Sequence, residues 1–171
     1  ITTPLPVFHW FVQTPSAAET INGTRCSVFY DNEFYDNVFI RIRGGTSIGW
    51  PKKSYKIEFN EGHHFRFLPD APRVSEIDLN TTYTDKSYVR AALASSFMNA
   101  AGLPTVSIFH THVRQNGNFY SLALLTENPD RDHLRRVGLD PDGAYYKGAG
   151  GATLDSINGY DMREWLGRHG A

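Results

Sequence analysis

Short segments in which apolar and polar residues alternate recur along this chain. In residues 38–43, Val38, Ile40 and Ile42 alternate with Phe39, Arg41 and Arg43. A period of two places every second side chain on the same face of a β-strand. The segments that we predict to be strands on this basis are 7–12, 25–30, 38–43, 52–60, 74–79, 105–114 and 119–127. So many short strands require the chain to fold around a sheet.

A tight hairpin is predicted between the last two of these segments. Gln115-Asn116-Gly117-Asn118 separates them, and Asn-Gly between alternating runs is the strongest short-range hairpin signal. The turn requires a positive φ at both Asn116 and Gly117.

Only one long segment has helical spacing. Asp85 can cap it, apolar residues follow at helical intervals, and Gly102 and Pro104 end it. Alanines in this segment permit a close approach to a sheet. We therefore predict an α+β fold, with an antiparallel sheet of at least five strands and the helix 85–101 packed on one face. A short helix within 128–138, a brief strand at 144–147 and a last helix at 161–169 complete the prediction.

Composition excludes several classes of protein. The 171 residues suit about one domain, and 17 basic against 18 acidic residues give a net charge of −1, unlike a dedicated nucleic-acid binder. Cys26 is the single cysteine, which excludes an intrachain disulfide and a cysteine-based metal site. No apolar run approaches 18 residues, so we expect no membrane insertion. Because the chain begins with Ile1, we expect a processed product or a fragment.

A glycine-rich loop, Gly44-Gly45-Thr46-Ser47-Ile48-Gly49, precedes a strand that begins with two lysines. Such a loop exposes backbone N–H groups that can bind phosphate oxygens, and a lysine adds a point charge. Strand alternation places Lys53 on the inner face with Tyr55, and Lys52 and Lys56 on the opposite face. An inward lysine either extends its ammonium group to solvent or meets a negative partner such as a phosphate. Both interpretations remain open.

Other candidate sites are weaker. His110 and His112 share a strand face and could bind a metal, but no third ligand is evident, so we predict no metal site in this chain. Asp130 and Asp132 suit a helix N-terminus, and Asp140 and Asp142 suit a turn.

Four stretches occur in order along the chain: GGTSIGWPKKSYKIEF, LNTTYTDKSYVRAALASSFMNAAGLP, NGNFYSLALLTENPDRDHL and DPDGAYYKG. In these stretches the chain resembles the CotH family of atypical secreted kinases, which includes spore-coat protein kinases. The resemblance implies that residues 1–127 are the nucleotide-facing N-lobe of an atypical protein kinase. It also implies that residues 128–171 contain the hinge, a short helix and the start of a following lobe.

The resemblance also implies roles for individual residues. Lys53 matches the catalytic lysine that contacts the nucleotide phosphates, and Lys52 is the less favoured choice. Glu127 would lie at the hinge near the adenine. The residues that would bind the cofactor are Gly44, Gly45, Thr46, Ser47, Lys52, Lys53 and Glu127.

Two departures limit what this chain can do alone. The predicted helix has no acidic residue after Asp85 to pair with the lysine, and no catalytic carboxylate motif follows the hinge. We therefore expect ATP and Mg²⁺ to act in the full-length protein, with the metal ligands outside this chain. The expected partner is a secreted or surface protein substrate, and the expected location is secreted or at the cell surface.

Two other functions compete with a kinase part. A CotH-like domain without chemistry would serve as an interaction module in a surface or coat assembly. A carbohydrate- or ligand-binding β-rich domain is the third interpretation, and it rests on the aromatic residues alone.

Overall fold

A computed structural model describes residues 4–143 of the chain. These residues belong to one compact unit that ends at Pro141, apart from the last two. The strands are β1 (Val7–Phe11), β2 (Thr24–Tyr30), β3 (Glu33–Arg43), β4 (Ser54–Glu58), β5 (Glu76–Asn80), β6 (Ile108–Gln115) and β7 (Asn118–Glu127). The helices are α1 (Pro15–Ala18), α2 (Arg90–Ala100) and α3 (Arg131–Arg136), with a 3₁₀ turn at Thr46–Gly49.

The seven strands form a closed barrel in the order β1-β2-β3-β4-β5-β7-β6. All neighbouring pairs are antiparallel except β1 and β6, which run parallel and close the barrel. In this pair Val7 lies opposite His112, and the His112 amide donates a hydrogen bond to the Pro6 carbonyl at 2.9 Å. Closure leaves no free sheet edge among these strands.

The predicted α+β fold, an antiparallel sheet covered by one packed helix like a kinase N-lobe, is therefore wrong. The positions of the strands agree with the alternation of the sequence. However, the sheet closes on itself instead of presenting an open face to a helix. A closed barrel covers its inner face with its own side chains, so it needs no packed helix to bury that face.

Aromatic residues fill the interior of the barrel. Trp10 lies edge-on to Tyr55, with ring centroids 4.6 Å apart, and Phe59 stacks on Phe65 at 4.8 Å. The largest side chains that are almost fully buried include Phe8, Trp10, Tyr35, Tyr55, Phe65, Ile40, Ile57, Ile77 and Leu79. Rings of this size fill a seven-stranded barrel as a solid core.

Helix α2 differs from the prediction in its position. It begins at Arg90, not near Asp85, and none of its residues is buried. Leu93 and Phe97, expected to face the sheet, are 51% and 67% exposed. Asp85 still pairs with one free amide at the N-terminus of the helix, because its carboxylate accepts a hydrogen bond from the Arg90 amide at 3.0 Å.

The predicted hairpin turn is confirmed. Asn116 and Gly117 have φ values of 50° and 85°, as a type I′ turn requires. The Asn116 side chain also bonds both the amide and the carbonyl of Val12, each at 2.9 Å. The turn thus fastens the end of β1 to the β6–β7 hairpin.

The remaining local predictions fall into two groups. A short helix was expected within 128–138, and α3 lies there, capped by Asp130, whose side chain accepts from the amides of Asp132 and His133. The strand expected at 144–147 and the helix expected at 161–169 lie outside the described residues. Within the described part, no helix has the length and apolar character needed to cross a membrane.

Candidate functional site

The glycine-rich loop connects the end of β3 to the start of β4 at one end of the barrel. Gly44 has a φ of +122°, and a Cβ at this position would overlap the Ser47 hydroxyl. Only glycine adopts this conformation without strain. The chain then forms the 3₁₀ turn, in which Ile48 packs against the barrel core. Ile48 therefore anchors the loop to the end of the barrel.

Lys53 contacts this loop through its side chain. Its Nζ donates a hydrogen bond to the Ile48 carbonyl at 2.7 Å, and the side chain is half-buried. Strand β4 begins only at Ser54, so its alternation does not extend to Lys53. The ammonium group has three N–H donors, and the Ile48 carbonyl takes one of them.

Lys52 extends in another direction, towards β7 and the segment before α2. Its Nζ donates to the Leu122 carbonyl at 2.9 Å and to the Tyr88 hydroxyl at 3.3 Å. The same ammonium lies 4.9 Å from the centroid of the Tyr88 ring, within the range of a cation–π contact. Two consecutive lysines thus hold different parts of the site.

Neither lysine is neutralised by a carboxylate in the part of the chain that the structure describes. Their hydrogen-bond acceptors are carbonyls and a phenol, and within residues 4–143 neither ammonium forms an ion pair. By contrast, the outward basic residues of the neighbouring strands β3 and β4 are paired with acids. These pairs are Arg41–Glu58, Arg43–Asp78 and Lys56–Glu76. Among the described residues, the two ammonium groups that follow the loop therefore lack the carboxylate partners that the outward basic groups of β3 and β4 have.

Asp78, in one of these pairs, was not singled out from the sequence. It lies in the middle of β5 and points outward, opposite its inward neighbours Ile77 and Leu79. Its carboxylate is 2.6 Å from Arg43, but burial outweighs this pairing and raises the pKa of Asp78 to about 6. Polar residues at 76, 78 and 80 alternate with Ile77 and Leu79, which predicts an outward Asp78 but carries no signal of its burial.

The segment 81–88 wraps around Lys52 and was also missed. The Thr81 hydroxyl donates to the Lys52 carbonyl at 3.2 Å. Thr82 and Tyr88 adopt positive φ values of 47° and 62°, which bulky and β-branched residues rarely do. Helical spacing placed Tyr88 in the helix predicted to pack on the sheet, so this contact could not be predicted from the sequence.

His110, considered earlier as a metal ligand, instead contacts this segment. Its Nε2 lies 2.7 Å from the Tyr88 carbonyl. His112 packs against the ring of Phe119, with centroids 4.8 Å apart. Among residues 4–143, no three histidine, cysteine or acidic side chains are grouped so that they could hold a metal ion.

Glu127 lies at the opposite end of the barrel from the loop. It is five residues beyond Leu122 along β7, or roughly 17 Å. The carboxylate is only 1% exposed and accepts hydrogen bonds from Arg136 at 2.7 and 2.6 Å, and from the Ser107 amide at 3.0 Å. His133 Nδ1 is 3.1 Å away. Both oxygens of this carboxylate therefore already have hydrogen-bond partners within the chain.

Burial by itself raises the pKa of Glu127, but the hydrogen bonds from His133, Arg136 and Ser107 outweigh it and hold the pKa at about 2. A groove of about 390 Å³ opens beside this cluster, between α2 and the start of β6. Arg136 and Ser107 line the groove, with Ser95, Ser96, Asn99 and Thr105. A molecule in this groove would meet the guanidinium and hydroxyl groups there.

Together, the fold and the site define a class of protein: a closed β-barrel with a glycine-rich loop at one end, followed by two lysines. Residues 40–166 match the family described as CotH kinase protein. Because the match covers most of the chain, the chain belongs to the CotH kinase protein family, and the resemblance seen in the sequence is confirmed. This family is associated with the spore coat. No curated protein matches the chain.

Proposed function

We propose that this chain is the phosphate-binding part of a CotH kinase, in which loop 44–49 with Lys52 and Lys53 binds the phosphate groups of ATP. One observation carries the proposal. The two lysines follow the glycine-rich loop directly, Lys53 bonds its Ile48 carbonyl, and neither ammonium has a carboxylate partner among the described residues, whereas the outward basic groups of β3 and β4 are paired. Phosphate is an anion that ammonium groups and backbone amides bind well.

The residues present fit the phosphate part of a nucleotide. Lys53 keeps two N–H donors after bonding Ile48, and Lys52 keeps one after bonding Leu122 and Tyr88. ATP would supply the phosphoryl group for transfer. Carboxylates that hold Mg²⁺ are expected outside this chain, so the chain alone is expected to bind nucleotide without transferring phosphate.

The substrate class follows from the family. We infer that the full-length kinase phosphorylates a secreted or surface protein, such as a component of a coat, and works outside the cytoplasm. The exposed side chains of α2, including Leu93 and Phe97, would be available to the rest of such a protein or to its partners.

The test measures nucleotide affinity directly. Isothermal titration calorimetry of the 171-residue chain with ATP should give saturable binding. Replacing both lysines, as Lys52→Ala with Lys53→Ala, should weaken it at least tenfold, which is about 1.4 kcal/mol. Arg25→Gln combined with Arg114→Gln is the control, because it also removes two positive charges, from Arg25 on β2, which bonds the Asn37 carbonyl, and from the exposed Arg114 on β6. Absence of ATP binding by the wild-type chain would refute the proposal.

A non-catalytic interaction module is the second candidate. It is favoured by large apolar side chains that remain exposed on the barrel, such as Phe34 and Phe119, at 54% and 64%. A full-length protein that phosphorylates no acceptor, and a chain that binds no nucleotide, would favour this alternative. Phosphoryl transfer by the purified 171-residue chain alone would contradict both candidates.

A further inference from the structure

The ammonium group of Lys52 is held in place before any ligand binds. It contacts the Leu122 carbonyl, the Tyr88 hydroxyl and the face of the Tyr88 ring. A free lysine side chain has many rotamers, and fixing them costs entropy that ligand binding would otherwise have to supply. A lysine held in this way is preorganised to bind an anion.

Tyr88 itself is held in a strained conformation. Its φ of +62° lies in the left-handed region, which disfavours a bulky aromatic residue. Two hydrogen bonds maintain it: the Tyr88 amide donates to the Asp85 carbonyl at 3.1 Å, and its carbonyl lies 2.7 Å from His110 Nε2. Strained residues of this kind persist only where the surrounding structure imposes them, and they are concentrated at binding sites.

A second strained residue lies at the other end of the same segment. Thr82 has a φ of +47°, and its buried hydroxyl has no hydrogen-bond partner within the described residues. The adjacent Thr81 donates to the Lys52 carbonyl, and its amide bonds the Ser54 hydroxyl at 3.2 Å. The segment is thus fixed on the backbone of Lys52 at one end and on its side chain at the other.

Lys53 has a different environment. Its ammonium bonds the loop carbonyl of Ile48, five residues earlier, and Ile48 packs on the barrel core. This contact fastens the loop to the barrel. Among residues 4–143, neither a residue in a strained conformation nor an aromatic ring holds the Lys53 side chain.

We infer that Lys52 is the residue that contacts the phosphate groups, that Tyr88 and His110 are its positioning residues, and that Lys53 chiefly holds the loop. This inference rests on the proposed nucleotide site. It names the ligand class more closely: the ligand presents phosphate oxygens to a preoriented ammonium, so ATP binds and adenosine gains nothing from Lys52. The inference reverses the preference for Lys53 that the family resemblance implies.

The first experiment separates the two lysines. Calorimetric titrations of the 171-residue chain with ATP and with adenosine compare wild type, Lys52→Met and Lys53→Met. We expect Lys52→Met to weaken ATP binding at least tenfold and to leave adenosine binding unchanged, and Lys53→Met to weaken ATP binding about threefold. A tenfold loss in Lys53→Met with no loss in Lys52→Met would overturn the inference but leave the proposed function intact. A wild-type chain that binds neither ligand would overturn both.

The second experiment tests the positioning role. Tyr88→Leu, which removes the ring and the hydroxyl, should weaken ATP binding about fivefold relative to adenosine binding. Tyr88→Phe keeps the ring face and should fall between this variant and wild type. His110→Ala should resemble Tyr88→Leu. A purely structural role would change ATP and adenosine affinity equally, and that result would overturn the assignment of Tyr88 and His110.

Tyr88→Gly tests the positioning role of Tyr88 in a variant whose backbone conformation is not strained. Glycine accepts the left-handed conformation, so this variant relieves the backbone strain while it removes the contact with Lys52. We expect a chain that folds with an unchanged circular dichroism spectrum but loses about fivefold in ATP affinity. ATP affinity equal to that of wild type would show that Tyr88 does not position Lys52.

Discussion

Glu127→Gln tests whether the buried carboxylate at the end of β7 stabilises the fold. Holding the pKa at about 2, against an ordinary value of 4.5, corresponds to about 3 kcal/mol of stability. Glutamine keeps the shape of the side chain but cannot form the charged pair with Arg136. The Arg136 side chain is 21% exposed and also bonds the Thr105 carbonyl, so it retains some of its interactions. We expect a loss of about 3 kcal/mol at pH 7.

The sign of the pH dependence follows from the lowered pKa. A carboxylate with a lowered pKa in the folded state stabilises the fold above about pH 4.5, and that stabilisation is lost as the pH falls towards 2. About 2 kcal/mol of it should be gone by pH 3. The difference between wild type and Glu127→Gln should therefore shrink from about 3 kcal/mol at pH 7 to about 1 kcal/mol at pH 3.

Urea unfolding at the two pH values, followed by circular dichroism, measures both quantities. Glu61→Gln is the matched control, because it makes the same chemical change at an exposed position. The control should stay within about 0.5 kcal/mol of wild type at either pH. A Glu127→Gln chain as stable as the control at pH 7, or a difference that stays constant between pH 7 and 3, would refute the reasoning.

Three further predictions concern other parts of the barrel. Gly117→Val should lower the free energy of unfolding by roughly 1 kcal/mol or more, because valine disfavours the positive φ of the turn, although a Cβ there meets no atom within 4 Å. An unchanged urea midpoint would contradict this. Burial raises the pKa of Asp78 to about 6, so the stability that its protonated form contributes is lost as the pH rises. Between pH 4 and 7, the free energy of unfolding of wild type should therefore fall by up to ~3 kcal/mol relative to that of Asp78→Asn. Parallel curves of stability against pH for the two chains would contradict this prediction. Burial raises the pKa of the Cys26 thiol to about 12, so this thiol should react with a thiol reagent only when the chain unfolds. Rapid labelling of the native chain would contradict the burial of Cys26.

Local signals predicted the elements of this fold but not their assembly. Alternation located the strands because inward residues such as Ile40 and Ile57 must be apolar whatever the barrel's topology. Asn116-Gly117 predicted its turn because the backbone conformation depends on those two residues. Barrel closure pairs Val7 with His112, and no local pattern specifies a contact between residues so far apart in sequence.

The error over α2 has the same origin. Helical spacing shows which residues share a helix face, but not whether that face is buried. Leu93 and Phe97 occupy such a face and remain exposed, since the barrel interior is already filled by aromatic rings from its own strands. The number of large inward residues on the strands, including Trp10 and Tyr55, was the signal that the sheet needed no helix to cover it.

For the candidate site, the sequence located the loop and its lysines but could not distinguish their roles. The family resemblance favoured Lys53, and strand parity supported it. Yet β4 begins at Ser54, so parity gives no information about the two residues before it. The contact that distinguishes Lys52 from Lys53 is made by Tyr88. The backbone conformation of Tyr88 and its contact with His110 depend on tertiary structure.

The distribution of charge links the barrel to the proposed site. On the outer face of β3, β4 and β5 each basic side chain is paired with an acidic one on a neighbouring strand, so these pairs contribute almost no net field. The two lysines stand immediately beyond these pairs, before β4 begins, and no carboxylate within residues 4–143 pairs with either ammonium. In the proposed site, an anion would be attracted to these ammonium groups more strongly than to the paired groups of the strands. A chain with a net charge of −1 would then bind a polyanion at one place without being a general binder of nucleic acid.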